Sequence, residues 1–258
     1  MFKDQQPYVI VEHHHQWLEI TLNRPDSFNA LSQQMMHHLQ MAIDLANTQE
    51  DLTCIIIKAK GKAFCAGHDI KQMQATAETD YYQALFHQCS HLMQSIVACP
   101  IPVIAQVQGI ATAAGCQLVA SCDLAISSDS ARFAVSGINL GLFCSTPAVA
   151  LSRNIHPKHA MEMLLIGEFI SADKAQTLGL INGVVTDDEL TAATREMARK
   201  ISLKARAAVL TGKAMFYPQL NMALEQAYVF ASEHMVNNLQ DAQTQRGLNG
   251  FVNKTPKG

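Results

Sequence analysis

Two kinds of hydrophobic pattern alternate along the first two thirds of the chain. The runs 53–59 and 101–107 are almost continuously apolar and rich in β-branched residues, which is typical of buried strands. In 32–48 and 81–98 apolar residues recur every three to four positions, which predicts helices packed on one face. Two prolines directly after the second helix end it, because proline cannot continue a helix. Alternating strands and helices predict an α/β fold with right-handed crossovers.

The rest of the chain divides into shorter elements. A hairpin is predicted at 8–22, and short strands are predicted at 124–127, 131–135 and 183–185. From Pro157 onward the pattern is mainly helical, with predicted helices at 157–166, 171–178, 187–202, 204–216 and 220–239. The polar stretch 73–80 is expected to be a mobile segment near a ligand.

Small residues follow the strand that ends at Val107. The segment 109–115 consists mainly of Gly and Ala, and a helical apolar pattern begins at Gln117. Such residues let the backbone approach a ligand closely, and the first amides of a helix have no intrahelical acceptor. These amides favour an anion or a developing oxyanion. Tight packing of a buried turn would explain the same residues, so this segment by itself leaves both interpretations open.

A second strand end has the same character. The segment 62–71 follows the apolar run 54–57 and contains a predicted helix start at Asp69, which leaves the amide of His68 exposed. Two strand-ending turns, each with a free amide, are able to hold one carbonyl oxygen between them. The pair therefore indicates a site for a carbonyl compound more strongly than either turn alone.

With these motifs in view, the sequence resembles the crotonase, or enoyl-CoA hydratase/isomerase, superfamily. The matching residues are 64–70, 113–118 and 122–123, supported by 22–25, 29–31, 170–172 and 179–181. The resemblance covers nearly the whole chain, and residues 114–123 and 141–147 are similar to one branch in particular. It implies an α/β fold, a ClpP-like spiral of ββα units, with a helical C-terminal trimerisation region. The implied division is a spiral core with the acyl-CoA site at 1–195 and a helical oligomerisation region at 196–258.

The resemblance also implies which residues form the site. The amides of His68 and Ala114 would form an oxyanion hole for the thioester carbonyl. Family hydratases carry two catalytic glutamates where this chain has Gln117 and Gly137. The other implied substrate-binding residues are Lys62, Ala63, Ala66, Gly67, Asp69, Ile70, Lys71, Gly115, Phe143, Cys144, Phe251 and Lys254. Of these, Lys62 and Lys71 would contact the nucleotide end of coenzyme A, and Phe251 and Lys254 would reach the site of a neighbouring subunit.

The missing glutamates leave the reaction open. Glutamine cannot exchange a proton near neutral pH, and glycine has no side chain to do so. True hydration is therefore doubtful, and isomerisation, thioester hydrolysis and non-catalytic acyl-CoA binding or regulation are alternatives. Other candidate groups in the site are His68, Ser136, Cys144, Ser145 and Asp69, although Asp69 is better explained as a helix cap. No cofactor is expected beyond coenzyme A as part of the substrate.

Composition limits the classes of binding partner and the cellular compartment that we expect for this protein. The net charge is −3 and no long basic run occurs, which argues against nucleic acid and anionic membrane as partners. No apolar run approaches the roughly 20 residues of a membrane span.

Seven cysteines, an odd number in apolar segments, indicate reduced thiols. With no signal-like or transit-like N-terminus, a cytoplasmic location is predicted. The expected partners are an acyl-CoA thioester and further copies of the chain, as a homotrimer or a dimer of trimers.

No metal site is expected. The histidines 13–15 lie at a predicted strand turn, where neighbouring side chains point to opposite faces and cannot converge on one ion. The histidines 37 and 38 lie at adjacent helix positions, so their side chains cannot converge on one ion either. If both loops flank one cavity, Cys65, Cys116 and Cys144 approach one another, and we interpret them as small buried hydrophobic side chains.

Overall fold

The computed structural model describes residues 7–253. Its strands are β1 Val9–His14, β2 Trp17–Leu22, β3 Cys54–Ala59, β4 Ala63–Cys65, β5 Val103–Val107, β6 Ile110–Thr112, β7 Leu124–Ser128, β8 Arg132–Ala134, β9 Ile170–Ser171 and β10 Gly183–Val185. Its helices are α1 Gln33–Asn47, α2 Ile70–Ala75, α3 Thr79–Ala98, α4 Ala114–Ser121, α5 Ser145–Leu151, α6 Pro157–Ile166, α7 Ala172–Leu178, α8 Leu190–Ser202, α9 Arg206–Gln219, α10 Leu224–Leu239 and α11 Ala242–Val252. Short 3₁₀ turns lie at Pro25–Ser27 and Ser136–Leu140.

The strands form two sheets. The larger has the order β1-β2-β3-β5-β7-β10 and is parallel except for the β1–β2 hairpin. The smaller has the order β4-β6-β8-β9, with only β9 antiparallel. Three successive units repeat one path, in which a strand of the large sheet leads to a strand of the small sheet and then to helix. This is the spiral of ββα units that the resemblance predicted.

The central strands are buried on both faces of the large sheet. Ile55 and Ile57 of β3 belong to the main core, whereas Cys54 and Ile56 pack in a second cluster with Ala198 of α8. All four strand residues are completely buried. A parallel sheet covered on both sides requires apolar side chains at successive positions, which explains why this run lacks polar alternation.

Several short elements were not predicted from the sequence. β4, β6, α5 and α11 were missed, α2 follows the helix start predicted at Asp69, and α4 begins at Ala114, three residues before the apolar pattern suggested. The segment 73–80 contains the end of α2 and the beginning of α3. The predicted boundary between 195 and 196 lies inside α8, which packs on β3, β5 and β7. The sheet core therefore extends to Ser202.

The carboxylate of Glu19 on β2 joins three parts of the large-sheet layer. It is 1% exposed and accepts hydrogen bonds from Arg195 Nε of α8 at 2.7 Å, from Trp17 Nε1 at 3.2 Å and from Lys58 Nζ of β3. Burial alone would raise the pKa of Glu19, but these donors outweigh it and lower the pKa to about 2.

We expect this carboxylate to make stability depend on pH. Because its folded pKa lies below the unfolded value, its contribution is complete above about pH 4.5 and is lost as pH falls towards 2. The shift corresponds to about 3 kcal/mol. Urea unfolding at pH 6 and pH 3 should show a smaller pH dependence in Glu19→Gln than in the parent. An equal dependence in both proteins would contradict the assignment.

A second buried ion pair joins the helical C-terminal region to the core. Lys213 of α9 is 9% exposed, and its Nζ donates to Asp123 Oδ2 at 2.6 Å and to the carbonyls of Ile96 and Ile101. Asp123 Oδ1 accepts the hydroxyl of Tyr217 at 2.7 Å. Lys213 is the one buried residue of α9, and α10 and α11 contain none.

Replacing Lys213 by methionine should destabilise the protein by about 3 kcal/mol. The substitution keeps the apolar stem but leaves the Asp123 carboxylate buried without its cation. Chemical denaturation of Lys213→Met measures the loss, and Lys200→Met is the control because the Lys200 side chain is 70% exposed. Equal stability of the two variants would show that the buried pair does not hold α9 in place.

Candidate functional site

The ends of β4 and β6 meet at one point. The strands pair in parallel, with Cys65 opposite Ala111, so the residues that follow them lie at the same edge of the small sheet. Gly67 has a φ of +91°, and a Cβ atom placed on it would lie 2.9 Å from Cβ of Ala113 and 3.3 Å from N of Ala114. The residue at position 67 must therefore be glycine for the two loops to lie this close.

Two amides at this contact have no protein acceptor. Within residues 7–253, neither the N–H of His68 nor that of Ala114 donates a hydrogen bond. Several neighbouring amides are engaged: Ala66 N donates to Phe28 O, Leu31 N to Gly67 O, and Ala113 N to Ala134 O, at 2.8–3.0 Å. The surrounding bonds fix both loops while leaving these two donors free.

Ala113 connects β6 directly to α4 through an unfavourable backbone conformation. Its φ of 49° and ψ of −120° lie where residues other than glycine are rare. Ala114 follows as the first residue of α4, so its amide lies at the positive end of the helix dipole. The cost of such a conformation is about 1–3 kcal/mol. The strained residue, Ala113, is the one that sets the direction of the Ala114 amide.

Gln117 lies in the first turns of α4, where its side chain cannot supply a carboxylate. The residue is 4% exposed, and its Oε1 is 4.0 Å from the Sγ of Cys89 on α3. It follows that this position offers a buried neutral amide next to α3.

The position of the second missing glutamate is closed by the chain itself. A Cβ atom on Gly137 would lie 2.7 Å from the Sγ of Cys144 and 2.7 Å from the carbonyl oxygen of Leu142. The 3₁₀ turn Ser136–Leu140 and the bond from Leu142 N to Gly137 O hold this arrangement. A carboxylate could not be restored here by substitution without moving the backbone of residues 137–144.

Comparison with known proteins identifies the family. The enoyl-CoA hydratase/isomerase family model matches residues 12–257. The chain belongs to the enoyl-CoA hydratase/isomerase family. Enoyl-CoA hydratase domain-containing protein 3 of Mus musculus is 48% identical over 91% of this chain and 78% of its own. The crystal structure of the human protein of that name superposes with a TM-score of 0.93 at 44% identity, over 96% of this chain and 98% of the other.

A solved enoyl-CoA hydratase from Mycobacterium smegmatis is equally similar. It is 49% identical, with a TM-score of 0.95 over 96% of this chain and 97% of the other. These matches confirm the predicted fold class and family. They also confirm the branch to which residues 114–123 and 141–147 are similar, that of enoyl-CoA hydratase domain-containing protein 3.

The predicted cytoplasmic location is contradicted by the relatives. The proteins of mouse, frog, rat, human and zebrafish, 41–48% identical to this chain, are all named mitochondrial. Free thiols indicate a reducing compartment but do not distinguish the cytoplasm from another reducing compartment, and the net charge does not distinguish them either. Within residues 7–253, no helix has the length and hydropathy needed to cross a bilayer.

In this enoyl-CoA hydratase/isomerase fold, the side chain of His68 turns away from solvent. Its Nδ1 lies 3.4 Å from the carbonyl oxygen of Leu31, its ring meets Phe86 edge-on at 5.4 Å, and its Nε2 is buried without a partner among the described residues. Burial lowers the pKa of His68, and the contact with Leu31 opposes this shift. Burial therefore favours the neutral imidazole over its protonated form.

The cysteines near the site are buried, protonated thiols. Burial raises the pKa of Cys65 and of Cys116 to about 12, and it also raises the pKa of Cys144. Among the described residues, no base forms a hydrogen bond with Cys144 or with the exposed Ser145 that would activate it, and the Ser145 hydroxyl bonds to Phe143 O at 3.4 Å. Among residues 7–253, no group of three His, Cys, Asp or Glu side chains is placed to hold a metal ion.

The remaining predicted residues lie on several elements. Asp69 caps α2 by accepting from Gln72 N at 3.2 Å, and it pairs with Arg24 at 3.5 Å. Lys62, Lys71 and Ile70 are exposed beside the first loop, whereas Ala63 and Gly115 are buried and Gly115 packs on the backbone of Cys65. Phe143 is 39% exposed. Phe251 of α11 is 79% exposed, and Lys254 lies outside the described residues.

Sequence reasoning did not identify Arg24 or Thr112. The guanidinium of Arg24 lies 5.0 Å from the ring centre of Tyr8 and touches Asp69. Thr112 Oγ1 lies 2.9 Å from Ser136 Oγ, between the end of β6 and the end of β8. Both contacts join residues far apart in the chain, and no local pattern indicated them.

Replacing Gly67 by alanine should separate the two loops. The substitution combines a positive φ with contacts that are too short at Ala113 and Ala114, so we expect about 1–3 kcal/mol of lost stability and a large loss of acyl-CoA affinity. Gly179→Ala is the matched control, since φ is +85° but the nearest other atom is 3.7 Å away. Thermal unfolding and calorimetric titration with a CoA thioester distinguish them. Equal affinity in both variants would contradict the importance of the contact.

Proposed function

We propose that this protein binds an acyl-CoA thioester and stabilises its enolate form, with the carbonyl oxygen between the amides of His68 and Ala114. The observation that supports the proposal is the contact of Gly67 with Ala113 and Ala114, beside which both amides lack an acceptor. Two fixed donors of this kind stabilise negative charge as it develops on oxygen. The Ala114 amide adds the field of the α4 N-terminus.

The chemistry we propose does not use a pair of carboxylates. Gln117 is an amide, and position 137 has no room for a side chain. A general acid or base usually contributes about 10²- to 10⁴-fold to the rate. We therefore expect slow hydration of 2-enoyl-CoA or none. Isomerisation through the enolate is the alternative reaction, and because it also moves a proton, it requires a proton-transfer group at a position other than 117 and 137. Thioester hydrolysis is the less favoured enzymatic alternative, because no activated nucleophile is present among the described residues of the site.

A second candidate is non-catalytic acyl-CoA binding with a regulatory role. The closed position at Gly137 and the neutral, buried Gln117 favour it, since both leave an oxyanion site without an adjacent proton-transfer group. Binding without turnover, measured by calorimetry and by spectrophotometric assays of hydration, isomerisation and free thiol release, would support this candidate. Turnover that disappears on a single site substitution would exclude it.

We also propose that the C-terminal helices mediate self-association. On α9, α10 and α11, large apolar side chains are widely exposed, including Phe216 at 50%, Leu224 at 75%, Tyr228 at 69% and Phe251 at 79%. Exposed apolar area on this scale is typical of an interface. A homotrimer, or a dimer of trimers, would cover it. Lys62 and Lys71 are our proposed contacts for the coenzyme A phosphates, on the ground of their charge and exposure.

Replacing Ala114 by proline tests the oxyanion site directly. Proline is tolerated as the first residue of a helix, so α4 should persist while the amide donor is removed. Loss of one such donor costs about 2.7–4 kcal/mol of barrier, or 10²- to 10³-fold in turnover. Affinity for a non-reacting acyl-CoA should fall as well.

The matched control is Ala242→Pro. Ala242 is also the first residue of a helix, and its amide donates no hydrogen bond within residues 7–253. We expect this variant to keep the parent affinity and turnover. Unchanged affinity and turnover in Ala114→Pro, with circular dichroism showing a folded protein, would be incompatible with the proposed oxyanion site.

A further inference from the structure

Two exposed histidines lie four residues apart on α3. His87 and His91 are both on the solvent-facing side of this helix, which buries Leu85, Cys89 and Leu92 against the core. Side chains four positions apart on a helix are neighbours, with about 5–6 Å between their Cβ atoms. Two histidines at this spacing are able to present their imidazole nitrogens to one metal ion. This pair was not among the histidines considered from the sequence.

A hydrogen-bond network determines which ring nitrogen of His91 carries the proton. Its Nδ1 lies 3.2 Å from Oε1 of Gln40 on the neighbouring helix α1. Gln40 Nε2 donates to Asp44 Oδ1 at 2.8 Å and to Ser95 Oγ at 3.0 Å. The Ser95 hydroxyl donates in turn to the carbonyl of His91 at 2.9 Å, so its oxygen is an acceptor for Gln40.

These bonds leave one arrangement of donors and acceptors. An ionised carboxylate only accepts, so the Gln40 atom that faces Asp44 is the amide nitrogen and the atom that faces His91 is the oxygen. His91 Nδ1 is therefore the donor, and in the neutral imidazole Nε2 keeps its lone pair.

The same arrangement is what a metal-binding histidine requires. Ligating histidines usually donate their other ring N–H to an oxygen acceptor, which fixes the tautomer and the orientation of the ring. Gln40 fills this role for His91, and Asp44 behind it places a negative charge at the end of the chain of bonds. His87 is exposed, and exposed side chains change rotamer within nanoseconds, so its ring is able to turn towards the same ion.

The histidine pair lies outside the candidate site. Phe86 and Cys89, in the same part of α3, contact His68 and Gln117 on the inner side of the helix. His87 and His91 lie on the outer side, where both are exposed. An ion bound there would not touch an acyl-CoA thioester held by the two free amides.

We infer that His87 and His91 bind one divalent transition-metal ion of the Zn²⁺ type on the outer face of α3, with Gln40 as the positioning residue. Within residues 7–253, no group of three His, Cys, Asp or Glu side chains is placed to hold an ion, so water supplies the remaining ligands. Imidazole nitrogen suits Zn²⁺, Cu²⁺ and Ni²⁺, whereas Mg²⁺ prefers oxygen ligands. The inference does not depend on the proposed acyl-CoA function.

Calorimetric titration of the full chain, without an affinity tag, with zinc chloride tests the site. His87→Asn and His91→Asn should each weaken Zn²⁺ binding by more than about tenfold, because each removes a ligand. Gln40→Leu keeps both histidines and should weaken binding by about 10- to 100-fold, as expected for the loss of a partner that orients a ligand. Saturating Zn²⁺ should raise the melting temperature of the parent and not that of the two histidine variants, and Mg²⁺ should not bind.

His13→Asn is the matched control, because His13 is also exposed but lies on β1. It should keep the parent affinity for Zn²⁺. Absence of Zn²⁺ binding in the parent overturns the inference. Parent-like affinity in both His87→Asn and His91→Asn does so as well, since the ion is then adventitious and bound elsewhere. Parent-like affinity in Gln40→Leu alone shows that Gln40 does not position His91. Circular dichroism shows that each variant is folded when titrated.

Discussion

The candidate site depends on the close contact between two loops that follow parallel strands. β4 and β6 are neighbours in the small sheet, and their paired register brings Gly67 against Ala113 and Ala114. Glycine permits this approach because any Cβ would collide, and Ala113 accepts an unfavourable backbone conformation so that α4 begins at once. Both amides are therefore directed by backbone geometry and not by side chains, which makes the site insensitive to many substitutions around it.

The surroundings of these amides differ from a site with two catalytic carboxylates at both positions concerned, 117 and 137. The segment 136–144 folds back on itself, so that the carbonyl of Leu142 and the thiol of Cys144 occupy the space beside Gly137. Gln117 faces Cys89, and burial favours the neutral forms of the nearby imidazole and thiols. An uncharged lining strengthens the effect of fixed amide dipoles on a developing oxyanion, since fewer charges and less water screen them.

Buried charge joins the layers that support this site. The Glu19 carboxylate connects β2, β3 and α8 on one face of the large sheet, and the pair of Lys213 with Asp123 connects α9 to the start of β5 and β7. Such pairs stabilise little relative to apolar packing, but breaking one is costly because a charge is left unpaired in the interior. They therefore fix how the C-terminal helices sit on a core that is otherwise apolar.

The sequence by itself determined the fold class, the main strands and helices and the positions of the two amide loops. These features are local, because apolar periodicity and clusters of small residues at 64–70 and 109–118 are readable along the chain. Three-residue strands such as β4 and β6 and the helix start at Ala114 were decided by tertiary pairing, which fixes ends that propensity leaves open. The same holds for the closed space beside Gly137 and for the Thr112–Ser136 pair, because these contacts join residues whose proximity exists only once the strands have been placed side by side.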